Sequence, residues 1–212
     1  MGWESALQQY IDHPDKYGKD TVIFSDSNAV IIHDGFPKSK YHLLVLPRSH
    51  QITKKHPTIA LTPQVKDQLS DYVQKAIDYI YHRFSEQYRT SSRVDALYTD
   101  KASFTKEFIQ VGIHSVPSMN NLHVHVLTRD FNSVRLKHKK HYNSFNTKFF
   151  VSWDDLPLQS IPVPKTIETK YIKNEPLVCS YCKKDFGSQF KRLKDHLEEE
   201  FEKHFDPIIS ID

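Results

Sequence analysis

The sequence predicts an α+β protein, an antiparallel sheet with a long helix on one face, followed by a small module held together by a metal ion. Three observations carry this reading: short β-branched runs punctuated by turn residues, one long stripe of apolar residues at helical spacing between Val65 and Phe84, and a chain whose only two cysteines, Cys179 and Cys182, stand close together ahead of a histidine-bearing segment. At 212 residues the chain is long enough for one domain with a sizeable core plus a small appendage. Charged residues at 26% and aromatics at 12% describe a globular protein and not a disordered tail. A net charge of +3 and a pI near 8.7 permit nucleic-acid binding without demanding it. No apolar run approaches the length needed to span a bilayer, so no membrane partner is expected. Met1-Gly2-Trp3-Glu4-Ser5 lacks the basic and apolar regions of a signal peptide, so an intracellular location is expected.

Taken in order, Ala6, Leu7, Tyr10 and Ile11 fall at helical spacing over residues 4–11, and His13-Pro14 ends that helix. Residues 21–24 and 29–32 read as strands around the turn-forming Asp26-Ser27-Asn28, a hairpin. Asp34 closes the second strand; a loop through Phe36, Pro37, Lys38 and Tyr41 leads to the apolar strand 42–47, which begins with His42. An acidic side chain at a strand end can accept hydrogen bonds from a ribose diol. Thr62-Pro63 supplies an N-cap and a proline in the first turn, and Val65, Leu69, Tyr72, Val73, Ala76, Ile77, Ile80, Tyr81 and Phe84 mark the core face of a helix ending near Tyr88. Residues 90–101 read as loop, with a strand over 108–111.

The chemistry concentrates in residues 118–127, Ser-Met-Asn-Asn-Leu-His-Val-His-Val-Leu, where imidazoles alternate with aliphatic residues after Pro117. Strict alternation is the strand period, so Asn121, His123 and His125 are expected on one face and Leu122, Val124 and Val126 in the core on the other. His114 stands just upstream. Three imidazoles, the Ser118 hydroxyl and an amide could then converge on a small anionic group. Three histidines could also hold zinc, but a phosphoryl site ranks ahead of that here.

These residues resemble the histidine-triad superfamily, and Gly112-Ile113-His114-Ser115-Val116-Pro117-Ser118-Met119 resembles its aprataxin branch in particular. Asn121 departs from the family pattern, standing where the first triad histidine belongs. It can donate or accept hydrogen bonds but cannot relay a proton. By resemblance, His123 is the nucleophile, His125, Ser118 and Asn121 are suited to the phosphate, and His114 or His42 to the leaving DNA phosphate. Asp34 matches the ribose-binding position, Lys38 and His42 match positions that approach substrate phosphates, and the N-terminal helix matches one that lies against nucleic acid.

Beyond the motif, residues 129–148 carry Arg129, Arg135, Lys137, His138, Lys139, Lys140, His141 and Lys148 interleaved with Tyr142 and Phe145. Such a segment could anchor by its aromatics while Lys137, Lys139, Lys140 and His141 face DNA phosphates. Trp153-Asp154-Asp155 opens a connector marked by Pro157, Pro162 and Pro164. The expected organisation is a histidine-triad domain over 1–153, a connector over 154–174 and a zinc finger over 175–212.

Cys179-Ser-Tyr-Cys182 reads as a metal knuckle, with Phe186 four residues beyond it and Leu193 three before His196. The interval after His196 offers only carboxylates. Glu200 at i+4 shares the face of His196, whereas His204 lies eight residues on, roughly 12 Å along a helix. Cys179, Cys182, His196 and Glu200 are therefore the expected ligands of a structural Zn²⁺, with His204 as the alternative to Glu200, and no catalytic metal is expected.

A histidine-triad domain followed by one C-terminal finger is similar to the aprataxins over nearly the whole chain. The resemblance implies a DNA repair hydrolase that removes AMP from 5′-adenylated ends through a covalent AMP-histidine intermediate, with related activity on 3′-guanylylated ends or RNA-DNA junctions. Nicked double-stranded DNA would be the partner, AMP the product, a monomer the working unit, and the nucleus the location, with the cytoplasm second. Two other classes stand beside it. A small-molecule phosphoramidate or dinucleotide hydrolase would keep its activity after deletion from Cys179 onward; a non-catalytic nick-binding module would hold DNA without releasing AMP.

Overall fold

The computed structural model describes residues 2–94 and 97–208; Met1, Asp95, Ala96 and residues 209–212, the last four expected within the finger, lie outside the described residues. After a 3-10 turn at Trp3–Ser5 come α1 (Gln8–Asp12), β1 (Val22–Ser25), β2 (Ala29–His33), β3 (His42–Pro47), α2 (His50–Thr53), α3 (Pro57–Ala60) and α4 (Pro63–Gln87). Then follow β4 (Tyr88–Thr90), α5 (Lys101–Phe108), β5 (Ile109–His114), β6 (Val124–Thr128), α6 (Lys139–Asn146) and β7 (Phe150–Ser152). The chain closes with α7 (Pro164–Ile167), a π-helical turn at Glu168–Asn174, α8 (Phe190–His204) and β8 (Phe205–Pro207).

The main sheet has six antiparallel strands in the order β1-β2-β3-β6-β5-β7. Its hairpin is set by Asp26, whose carboxylate accepts from the Asn28 and Ala29 amides at 2.8 and 3.0 Å. Thr62 caps α4 by accepting from the Val65 amide at 3.3 Å, and α4 lays Leu69, Tyr72, Val73, Ala76, Ile77, Ile80 and Phe84 on the sheet. The residues that meet them are Leu43, Val45, Ile113, Val124 and Val126 of one sheet face, together with Leu122 just before β6. Alternation then places His42, His114 and His125 on the other face. Gly112 pairs with His125 across β5 and β6, and a Cβ there would run into the Val151 carbonyl oxygen and the Phe150 ring. Glycine is what lets β7 close against β5 beside the histidines.

Four expectations change. The helix expected over residues 4–11 is split into the 3-10 turn and α1. Residues 101–108, with Lys101 expected in a loop and Phe108 in a strand, form α5, nucleated by Asp100 and Ser103, whose side chains each bond the other's backbone amide. The stretch 118–127 is not one strand: β6 starts only at Val124, because the Asn120 and Leu122 amides donate to the carbonyls of Glu4 and Thr53, at 2.8 and 2.7 Å, in place of a sheet partner. The basic segment contains a helix of its own, α6.

The C-terminal module shares its core with the sheet domain. Leu177, Cys179, Phe186, Leu193 and Leu197 pack with Leu127, Phe131, Leu136, Tyr142 and Phe145. At the far end of α8, Phe201 and Phe205 join the main core, and β8 pairs with β4 at the end of α4.

Candidate active site and metal centre

The strands set four imidazoles side by side: the ring of His125 lies 5.1 Å from His42, 4.6 Å from His114 and 4.8 Å from His123, centroid to centroid. His42 comes from β3, His114 from the end of β5, His123 from the residue before β6 and His125 from within it. Phe145 of α6 packs against His42, His114 and His125 at 5.4, 4.6 and 5.1 Å. That aromatic contact had no local signal in the sequence.

Hydrogen bonds fix the tautomers. The Lys38 amide donates to His42 Nδ1 at 3.2 Å, so the His42 proton sits on Nε2, which lies 2.9 Å from His125 Nδ1 and 3.4 Å from Asp34 Oδ2. His125 Nδ1 then accepts, and its proton sits on Nε2, a buried donor with no partner among the described residues. His123 Nδ1 donates to the Asn121 carbonyl at 2.8 Å, which leaves the lone pair on Nε2. Burial pushes all four rings below their ordinary pKa of 6.5, His42 to about 4. Four neutral rings on one sheet face, one with a free lone pair and another with a free N–H, suit attack on a phosphorus whose oxygens need donors.

Asp34 stands at the rim. Its Oδ1 accepts from the Phe36 amide at 2.7 Å and its Oδ2 faces His42. Asp34, His42 and His125 also bring three donor atoms within 4.8 Å of one another. The Lys38 ammonium donates to the Phe36 carbonyl, and burial lowers its pKa, with the nearby Arg135 charge adding to the effect. Burial also pushes His141 down to about 4, together with the charges of Lys38, His138, Lys140 and Lys137. Lys38 and the basic segment therefore lie close enough to act on one field, and that field is positive. Lys137 and Lys140 are exposed, Lys139 and His141 half-buried, while Phe131, Tyr142, Phe145 and Phe149 are buried beneath them.

Ser118 and Asn121, both expected at the phosphate, differ in burial. Ser118 is exposed in the loop between β5 and β6. Asn121 is buried, and its amide nitrogen donates to Gln8 Oε1 at 3.0 Å and Thr53 Oγ1 at 3.2 Å and to none of the imidazoles. The strand alternation that would have aimed it at them ends before it. Gln8 and Thr53 were not among the sequence candidates, because nothing local marks them.

In the C-terminal module, the donor atoms of Cys179, Cys182 and His196 lie within 4.8 Å of one another, with Cys182 Sγ 3.2 Å from His196 Nε2. Glu200 Oε1 is 3.7 Å from His196 Nε2. Ligands of a tetrahedral zinc with bonds of about 2.0 to 2.3 Å stand roughly 3.3 to 3.8 Å apart, so Cys179, Cys182 and His196 fit the ion, and Glu200 stands beside His196 as the candidate for the fourth position. Burial, with Cys182 beside it adding to the effect, pushes the Cys179 thiol up to about 11, and a dication is what would favour its thiolate. His204 is otherwise engaged: its Nδ1 donates to the Glu200 carbonyl at 2.7 Å and its ring packs 4.8 Å from Tyr181.

Comparison with known proteins agrees with both halves. The HIT domain family matches residues 16–132, and the C2HE / C2H2 / C2HC zinc-binding finger family matches residues 146–203. An aprataxin-like protein of Saccharomyces cerevisiae is 48% identical over 97% of this chain and 99% of its own length. An aprataxin-like protein of Schizosaccharomyces pombe is 35% identical over 100% of this chain and 87% of its own. Among solved structures, the aprataxin ortholog Hnt3 in complex with DNA is 33% identical, with a TM-score of 0.66 over 95% of this chain and 96% of that one. Hnt3 in complex with DNA and guanosine is 32% identical, again with a TM-score of 0.66 over 95% of this chain and 96% of that one.

Proposed function

From the premise that this chain belongs to the aprataxin family of HIT-domain proteins, we propose that it is a DNA repair hydrolase removing AMP from 5′-adenylated DNA ends. The observation that carries the proposal is the tautomer of His123, whose Nδ1–H is held on the Asn121 carbonyl so that Nε2 keeps its lone pair. In the first step Nε2 attacks the α-phosphorus of the adenylate. A P–N bond forms, the P–O bond to the DNA 5′-phosphate breaks, and the repaired DNA end leaves. In the second step water attacks the same phosphorus, the P–N bond breaks, and AMP departs with the imidazole restored.

The free His125 Nε2–H is the donor for a non-bridging oxygen, with His42 supporting it through the 2.9 Å bond to Nδ1. His114 and Lys38 serve the leaving phosphate, and Asp34 serves the ribose. This route needs no metal, because the histidine takes the place of an activated water. Zinc, held by Cys179, Cys182, His196 and Glu200, would supply structural closure of the finger. Lys137, Lys139, Lys140 and His141 take backbone phosphates of nicked duplex, which gives affinity at any sequence. The Hnt3 complex with DNA and guanosine favours 3′-guanylylated ends as a second substrate class. A monomer working in the nucleus, with the cytoplasm second, is the matching assignment of state and place.

The test is AMP release from a nicked duplex bearing a 5′-adenylate, with acid trapping of nucleotidyl-protein. Intact protein should release AMP, and His123→Ala should lose release by about 10³-fold or more together with the trapped adduct. Full release by His123→Ala would remove it as nucleophile. No release by folded, zinc-loaded wild type would leave nick binding as the better reading.

A further inference from the structure

Asn121 occupies the first triad position, yet its NH₂ is given to Gln8 and Thr53 while its buried Oδ1 has no partner among the described residues, and the turn it belongs to is held from outside the sheet. The Asn120 amide donates to the Glu4 carbonyl at 2.8 Å, and the Leu122 amide donates to the Thr53 carbonyl at 2.7 Å. The Asn120 side-chain amide reaches Ser5 Oγ at 3.1 Å. Between them, the single NH₂ group of Asn121 bridges two elements, Gln8 of α1 at 3.0 Å and Thr53 of α2 at 3.2 Å. Both amide hydrogens are used. A neutral imidazole in that place carries one N–H and could donate to only one of the two.

The backbone of the same residue has the second task. Its carbonyl accepts the His123 Nδ1–H at 2.8 Å, and that bond decides which nitrogen carries the lone pair. Asn121 is 1% exposed and Thr53 0%, so water offers no substitute for the contact between them.

We propose that Asn121 is a positioning residue: its side-chain amide, bridging Gln8 and Thr53, immobilises the carbonyl that holds His123 in its nucleophilic tautomer. The inference rests on the reading of His123 as nucleophile. It assigns the amide to holding the nucleophile from behind and leaves donation to substrate oxygens to His125.

Asn121→Asp is the isosteric test, because it replaces the NH₂ by an acceptor that faces the Gln8 carbonyl oxygen and keeps at most the Thr53 hydroxyl, turned to donate. Expected is a fall in kcat of about tenfold or more with KM within about twofold, the signature of a displaced reacting group and not of weakened substrate binding. ¹⁵N NMR of His123 should move from a single Nδ1–H tautomer to a mixture. Thr53→Val, which keeps shape and removes one acceptor, should give a smaller fall in kcat in the same direction, and the double variant should lose no more than Asn121→Asp alone. Zinc content and thermal midpoint of each variant separate this from partial unfolding. The proposal is overturned if folded Asn121→Asp keeps the wild-type kcat, if kcat falls only in proportion to the unfolded fraction, or if the His123 tautomer stays single. The tautomer readout stands even where wild type releases no AMP, so failure of the functional reading is told apart from failure of this one.

Discussion

Burial forces neutrality on the histidines of the sheet face, and neutrality has a measurable pH signature. His42 is pushed from 6.5 down to about 4, and His114, His123 and His125 move in the same direction, burial being the largest cause in each. In the unfolded chain these rings take protons near 6.5, while in the folded chain they refuse them. The stability they contribute is therefore full above pH 6.5 and declines as pH falls from there toward about 4. The same sign governs the chemistry, since a protonated His123 has no lone pair. Formation of the acid-trapped adduct should be flat above pH 6.5 and fall only below it, with circular dichroism recorded in parallel to exclude unfolding. An acid limb centred above 6.5 would mean that His123 is not buried as described. At this scale the sequence made His123 and His125 visible through their spacing. It hid the tautomers, which depend on the Lys38 amide and the Asn121 carbonyl.

At the scale of elements, α6 carries an electrostatic conflict. Lys139 and Lys140 stand in its first turn, where no acidic residue accompanies them and where the helix dipole is already positive. Such an arrangement is stabilised by an anion, which fits phosphate contact. Lys139→Glu with Lys140→Glu should weaken nicked-duplex binding to a similar degree for every sequence. It should also flatten the slope of log K against log salt by about 0.9 for each DNA phosphate that the variant no longer neutralises, as read by fluorescence anisotropy. An unchanged slope would take α6 out of the DNA interface. The aromatic interleaving announced that this segment is anchored, and Tyr142 and Phe145 are indeed buried. The helix itself went unread because the basic run masks its period. α5 was missed for a different reason: the Asp100 and Ser103 capping box was legible but its helix is only eight residues long.

Across the whole molecule the finger and the sheet domain are joined by common packing, Leu193 and Leu197 of α8 lying against Leu127, Phe131 and Phe145. Zinc held by the finger is thereby coupled to the domain that carries the histidines. Chelation of zinc should expose that packing and lower the thermal midpoint of the sheet domain along with the finger, followed by near-ultraviolet circular dichroism and by loss of AMP release. A sheet domain that melts unchanged after chelation would show the two units to be energetically separate. The sequence by itself determined what is local: the hairpin at Asp26, the stripe of α4, the alternation around His123 and His125, and the grouping of Cys179, Cys182 and His196. Each of these is written in residues that lie within a few turns or one strand of each other, where period and spacing are enough. Only the tertiary structure decided that His42 meets His125 at 2.9 Å across 83 residues of chain, and that Asn121 turns toward Gln8 and Thr53. It also decided that α8 completes the core beneath the basic segment. These contacts join residues far apart in the chain, and they exist only once packing of the whole fold has fixed which surfaces meet.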